Sequence, residues 1–300
     1  IRMELAALAD TVYAVTSNTA ANTDSCYLSI DGGVTWTKRN TVIIPSGLGS
    51  GQTWYNQTLT INPRNIRELM SGGLDAFRSL DSGRTWTRAT FWVTTAPYVH
   101  ADHHFIQWWY KNNESRLLIG CDGGLFLSRD HGVTWADKNR NLAIKQFYSA
   151  AIHPDAGSPY LIGGTQDNGV HQLRYEGLGP STEVTGGDGC FTHINQTNPS
   201  IQFGSYVFNQ YRRSVNGGQT WTSVNLSTTQ GLFVNPFDYD DAQNIMYASN
   251  GVSATPNTQI RRWVNANNST TNTVLNVAGL VKNGANSNAS SFKVSPYTAN

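Results

Sequence analysis

Three aspartates stand in Gly-rich turns that each follow a short expected strand: Asp122 in G-C-D-G-G, Asp167 in T-Q-D-N-G and Asp188 in G-G-D-G. Glycoside hydrolysis needs two carboxyl groups about 5–10 Å apart, one protonated as acid and one ionised as base or nucleophile. These three aspartates are therefore the candidate catalytic set. A local role competes with that reading. Asp accepts hydrogen bonds from nearby backbone N–H groups, and Gly enters positive φ without a Cβ penalty, so both are ordinary turn formers.

A second concentration of chemistry is V-H-A-D-H-H, which carries His100, Asp102, His103 and His104. On an extended segment, side chains alternate, so His100, Asp102 and His104 are expected on one face. Such a face could bind a metal, could let Asp102 orient a histidine as general base, or could be a satisfied polar network. Aromatic residues at loop positions, Trp54, Tyr55, Trp92, Trp108 and Trp109, could stack on sugar rings or pack the fold. No Gly-rich phosphate loop, nucleophile elbow or H-E-x-x-H motif occurs, and no cofactor and no metal is assigned.

The elements that must position these groups are repeats. One octet occurs four times: S-I-D-G-G-V-T-W from Ser29, S-L-D-S-G-R-T-W from Ser79, S-R-D-H-G-V-T-W from Ser128 and S-V-N-G-G-Q-T-W from Ser214. The starts are 50, 49 and 86 residues apart, and the last gap holds two units, one with its octet decayed. A second marker is an apolar stretch entering a Pro-Asn or Pro-Asp turn, as in T-L-T-I-N-P-R-N, S-A-A-I-H-P-D-A and G-L-F-V-N-P-F-D. Together the markers place unit starts near residues 1, 58, 103, 147, 190, 230 and 289. Four short strands in roughly 40–50 residues is the pattern of a β-propeller blade. The expected fold is all-β, a single propeller domain over residues 1–300 with six blades and the start of a seventh.

Asp31, Asp81, Asp130 and Asn216 occupy one position of the four octets. Asn keeps the turn chemistry but cannot replace a catalytic carboxylate, so this position is read as structural. Lys and Arg total 21 against 20 Asp and Glu, interleaved along the chain, which gives no electrostatic footprint for nucleic acid or an anionic membrane. No apolar run reaches the roughly 18 residues of a membrane span. Cys26, Cys121 and Cys190 are odd in number and widely spaced, as buried thiols are.

The four octets resemble the Asp-box, or BNR repeat, S-x-D-x-G-x-T-W, found in sialidases, xyloglucan-degrading endoglucanases, sortilin-type receptor propellers and large secreted bacterial surface proteins. Further phrases, G-Q-T-W-Y-N-Q from Gly51, V-H-A-D-H-H, G-C-D-G-G-L-F, G-G-T-Q-D-N-G and G-G-D-G-C-F, are most similar to glycosyl-hydrolase-like domains exported by Bacteroidetes and related bacteria. The resemblance implies an extracellular or cell-surface location and octets away from the ligand-binding cleft. It also implies two Asp facing across that cleft if the chain resembles the xyloglucan-degrading enzymes in activity. Sialidase chemistry is not implied, because Arg2 lacks the family's F-R-I-P-type setting and none of the five Glu sits in a nucleophile motif.

Two functions remain open. The first is a non-catalytic binding or structural module that contacts glycan or protein through His100–His104, Trp54, Tyr55, Asp122, Asp167 and Asp188. Its partners would include other domains or an extracellular assembly. The second is an endo-acting glycoside hydrolase that uses two of the aspartates.

Overall fold

The computed structural model describes residues 2–40, 48, 50–93, 96–142, 144–177, 179–252, 257–282 and 284–295. The chain divides into two compact units, Ile1–Ala143 and Ile144–Asn300. All regular structure among the described residues is β, in six four-stranded antiparallel blades of β-propeller type and one two-stranded hairpin.

The first unit holds three blades. These are β1 (Met3–Leu8), β2 (Thr11–Ser17), β3 (Thr23–Ser29) and β4 (Thr37–Lys38); then β5 (Thr58–Asn62), β6 (Asn65–Gly72), β7 (Ala76–Ser79) and β8 (Thr87–Arg88); then β9 (His103–Lys111), β10 (Glu114–Cys121), β11 (Gly124–Ser128) and β12 (Ala136–Asp137). Within each blade the strands pair in sequence order. Alternation along the strands sends Tyr13, Val15, Cys26, Leu69 and Phe77 into one core, and Met70, Ile106, Trp108, Leu117, Ile119 and Phe126 into another.

The second unit repeats the plan with β13 (Phe147–Ile152), β14 (Leu161–Thr165), β15 (Gly169–Leu173) and β16 (Thr182–Thr185); β17 (Thr192–Ile194), β18 (Gln202–Ser205), β19 (Asn209–Ser214) and β20 (Thr222–Ser227); and β21 (Phe237–Asp240), β22 (Ile245–Ser249), β23 (Gln259–Trp263) and β24 (Asn272–Asn276). Its largest core gathers Phe203, Tyr211, Phe237, Tyr239, Met246 and Trp263. A hairpin of β25 (Val281–Lys282) and β26 (Ala285–Asn286) follows. Of the seventh unit expected from residue 289, the described part to Ser295 carries no strand, and residues 296–300 lie outside the described residues. The backbone N–H of Val294 donates instead to Asp238 Oδ2 at 2.6 Å.

The octets form the turn between the third and fourth strands of the first, second, third and fifth blades. In the first, the Ser29 hydroxyl donates to Asp31 Oδ1 (2.6 Å) and accepts from Gly33 N (2.9 Å). Thr35 donates its N–H to Asp31 Oδ1 (2.9 Å) and its hydroxyl to Oδ2 (2.5 Å). These donors, Ser29 first, hold the Asp31 carboxyl down at about 2. The same closure recurs at Asp81 and Asp130. At Asn216, Oδ1 accepts from Thr220 N (3.0 Å) while Nδ2 donates to the Thr220 hydroxyl (2.8 Å), so the amide keeps the turn. The octet Trp is not uniformly packed: Trp86 is 9% exposed and Trp36 42%.

Cys26 and Cys190 are buried, Cys121 is half-buried, and all three are free thiols pushed up to about 12 by burial. No helix among the described residues is long and apolar enough to cross a membrane.

Candidate functional site

In the first unit, the residues before β5 fold into a turn closed by Tyr55 N to Gln52 O (2.8 Å) and Asn56 N to Gln52 O (3.2 Å). Arg2 clamps it, donating through Nη1 to Tyr55 O (3.0 Å) and through Nη2 to Gln57 O (3.2 Å). The turn leaves Trp54 72% exposed and points the Tyr55 hydroxyl at Asp122, donating to Oδ2 at 2.8 Å.

Asp122 sits in the two-residue turn between β10 and β11, whose ends pair as Cys121 with Gly124. Its other oxygen, Oδ1, lies 2.7 Å from His104 Nε2 on β9. The Tyr55 and His104 rings meet edge to face at 4.8 Å. The hydrogen bond to Asp122 raises the His104 pKa, against a partial burial that works the other way. Gly123 is required here, because a Cβ would fall 2.2 Å from His100 Cβ.

Asp102 takes a left-handed φ of 64° immediately before β9. That conformation departs from the extended backbone the alternation rule assumes, yet His100, Asp102 and His104 all gather about the Asp122–Gly123 turn. Each finds its own partner. His100 lies against Gly123, with Nδ1 3.3 Å from Ala101 O. Gln52 Nε2 and Asn56 Nδ2 both donate to Asp102 Oδ1, and His104 goes to Asp122. His103 is fully buried, with Nε2 3.1 Å from His100 O, and burial drives its pKa down to about 3.

Carboxylate oxygens of Asp102 and Asp122 lie within 4.8 Å of one another. Burial, with the Asp122 charge behind it, raises the Asp102 pKa. The arrangement therefore offers one carboxyl biased toward the protonated form beside a second fixed by a phenol and an imidazole. These are also the oxygens this unit could give a hard divalent cation, which for calcium takes about 6–8 such ligands.

In the second unit, Asp167 has φ 56° in the turn joining β14 to β15, and its N–H donates to Asp188 Oδ1 at 3.2 Å. Gly169 N donates to Gly187 O (2.6 Å) and Gly189 N to Thr165 O (2.9 Å), so the two Gly-rich segments lie backbone against backbone. A Cβ on Gly189 would meet Gly169 O at 2.0 Å. Asp188 thus fastens the turn that carries Asp167.

Of the candidate aromatics, Trp54 is exposed and Trp92 45% exposed, whereas Trp108 is core, its Nε1 donating to Ser115 Oγ at 3.0 Å. Gln52 and Asn56, the partners of Asp102, were not among the residues singled out by chemistry. The signal for them is the density of hydrogen-bonding side chains in G-Q-T-W-Y-N-Q ahead of an apolar strand.

No protein-family model matches the chain, and no curated protein matches it. Solved structures similar to it include the GH74 xyloglucanase from Xanthomonas campestris, at 16% identity and TM-score 0.36, covering 82% of this chain and 44% of that one. Another is a GH74 enzyme from Niastella koreensis, at 19% identity and TM-score 0.35, covering 91% and 46%. A third is YCF48 from Cyanidioschyzon merolae, at 11% identity and TM-score 0.32, covering 82% and 79%. The chain spans less than half the length of the two GH74 chains.

Proposed function

We propose that this chain is a non-catalytic, glycan-binding propeller module of an exported or cell-surface protein of the Asp-box type. The observation that carries the reading is the exposed Trp54 beside Tyr55, whose hydroxyl and the His104 imidazole both hold Asp122. An indole face free to stack on a sugar ring, next to an anchored carboxylate that accepts from sugar hydroxyls, combines the apolar and polar parts of a ligand site. The four octet turns with one hydrogen-bond closure support membership of the Asp-box type, and the proposal of export rests on that resemblance alone.

Calorimetric titration with neutral soluble β-glucans tests the reading. Saturable binding that Trp54→Ala and Asp122→Asn each weaken at least tenfold supports it. Binding indifferent to both variants removes this cluster as the site.

The second reading, an endo-acting glycoside hydrolase, would use the Asp102–Asp122 pair, in which one carboxyl is biased toward protonation; oxygens within 4.8 Å are closer than the roughly 5–10 Å that hydrolysis needs, which favours the binding reading. It requires release of reducing ends from a β-glucan, lost in both Asp102→Asn and Asp122→Asn. Binding without turnover in the unsubstituted protein excludes it.

A further inference from the structure

Between the outer edge of the second blade and the third octet turn lies a cavity of about 390 Å³, lined among others by Arg78, Leu80, Thr87, Arg88, Pro97 and Val133. Both arginines are fixed from behind. Arg78 donates to Glu68 Oε1 through Nε (2.9 Å) and Nη2 (2.5 Å). Arg88 donates through Nη2 to Asp75 Oδ2 and through Nε to Thr90 O (3.1 Å), and its guanidinium lies 4.4 Å over the Phe91 ring.

The two ion pairs point the same way. The Glu68 and Asp75 side chains are 4% and 0% exposed, those of Arg78 and Arg88 24% and 35%. The negative ends are inside, and the positive ends reach the surface. Nη1 of both arginines has no hydrogen-bond partner among the described residues. A guanidinium held in this way keeps donors in a rigid fork that suits a carboxylate, with little side-chain entropy left to lose.

The rest of the wall decides what carries that carboxylate. Leu80 and Val133 are each 59% exposed. None of the lining residues is aromatic, so a sugar ring finds no stacking face here. β8 is the last strand of its sheet, two exposed residues long, and an open edge presents backbone groups to an incoming strand.

We propose that this cavity docks an extended acidic peptide segment. One Asp or Glu carboxylate lies on Arg78 and Arg88, the peptide backbone runs beside β8, and flanking apolar side chains rest on Leu80 and Val133. This surface acts independently of the Tyr55–His104–Asp122 cluster.

The test is fluorescence anisotropy of the full chain with a fluorescein-labelled peptide Thr-Val-Glu-Val-Thr-Val. Saturable binding is expected, weakened roughly tenfold or more by Leu80→Glu, which puts a like charge at the mouth and leaves both ion pairs intact. Arg88→Lys, which keeps the charge and loses the fork, is expected to weaken it by about tenfold. The same peptide with Gln for Glu is expected to lose binding. An unchanged melting temperature for Leu80→Glu ties its effect to the cavity. Absence of saturable binding overturns the proposal, as does equal binding of the Gln peptide or equal binding by Leu80→Glu. Binding of tetragalacturonate in place of the peptide overturns it as well.

Discussion

His131 Nδ1 lies 3.2 Å from Glu68 Oε1, so the one histidine found inside an octet reaches from the third blade to a buried carboxylate on β6 of the second. Glu68 is the hub of that contact. Oε1 also takes Arg78, and Oε2 accepts from Asn62 Nδ2 at 2.6 Å. Glu68→Ala is expected to cost about 3 kcal/mol, because Glu68 is buried and its loss leaves Arg78 and Asn62 without their shared carboxylate. His131→Gly, matching two sister octets, is expected to cost under about 1 kcal/mol, since its pair is partly exposed and its φ of 61° suits glycine. Urea denaturation of both variants checks the ordering.

The repeat was legible in the sequence because an octet turn is closed by side chains within eight residues, so its chemistry is written in one stretch. The side chains of Ser29, Asp31 and Thr35 hydrogen-bond one another and the local backbone. The site was legible only in part. Asp122 and the histidines stood out by type, but the partnership of Asp102 with Gln52 and Asn56 spans 50 and 46 positions. No spacing rule reads that far. The left-handed Asp102 departs from the extended backbone that the alternation argument assumes, so the way these residues meet is not the way spacing alone describes.

The octet carboxylates can be tested against their natural Asn. Asp81→Ala removes bonds to Ser79, Arg84 and Thr85 and is expected to cost about 1–2 kcal/mol. Asp81→Asn, copying Asn216, is expected to cost less than half of that. For Asp31 the effect is a pH dependence. Its folded pKa of about 2 lies below the ordinary 3.8, so its contribution is complete above about pH 4 and fades as pH falls through 2. Thermal melts of Asp31→Asn between pH 2 and 5 are expected to be flatter than those of the parent.

The two neighbouring histidines have opposite pH signs. Burial lowers His103 from 6.5 to about 3, so the unfolded chain binds a proton that the folded chain refuses, and stability falls as pH drops from 6.5 toward 3. His104 is raised by Asp122, so its contribution is full below 6.5 and lost as pH rises through the folded value. Imidazole titration by NMR is expected to show His104 moving down in Asp122→Asn. Urea midpoints at pH 5 and 7 are expected to converge in His103→Gln.

The turn before β11 places Asp122 through close packing of Gly123 against His100. A Cβ on Gly123 would stand 2.2 Å from His100 Cβ and 2.3 Å from its Cγ, atoms close to the backbone that cannot swing aside. On Gly120, three residues earlier, the nearest atoms would be 3.6 Å and 3.7 Å away, ordinary contact. Gly123→Ala must therefore displace either His100 or the turn, and overpacking of this kind costs about 1–3 kcal/mol. Displacing the turn withdraws Asp122 from Tyr55 and His104 together, since both bonds converge on one carboxylate. Gly123→Ala is expected to weaken glycan binding more than its loss of stability alone implies, with Gly120→Ala near the parent in both. Paired melting curves and titrations separate the effects: equal glycan affinity in the two variants would mean that Asp122 need not be held in place.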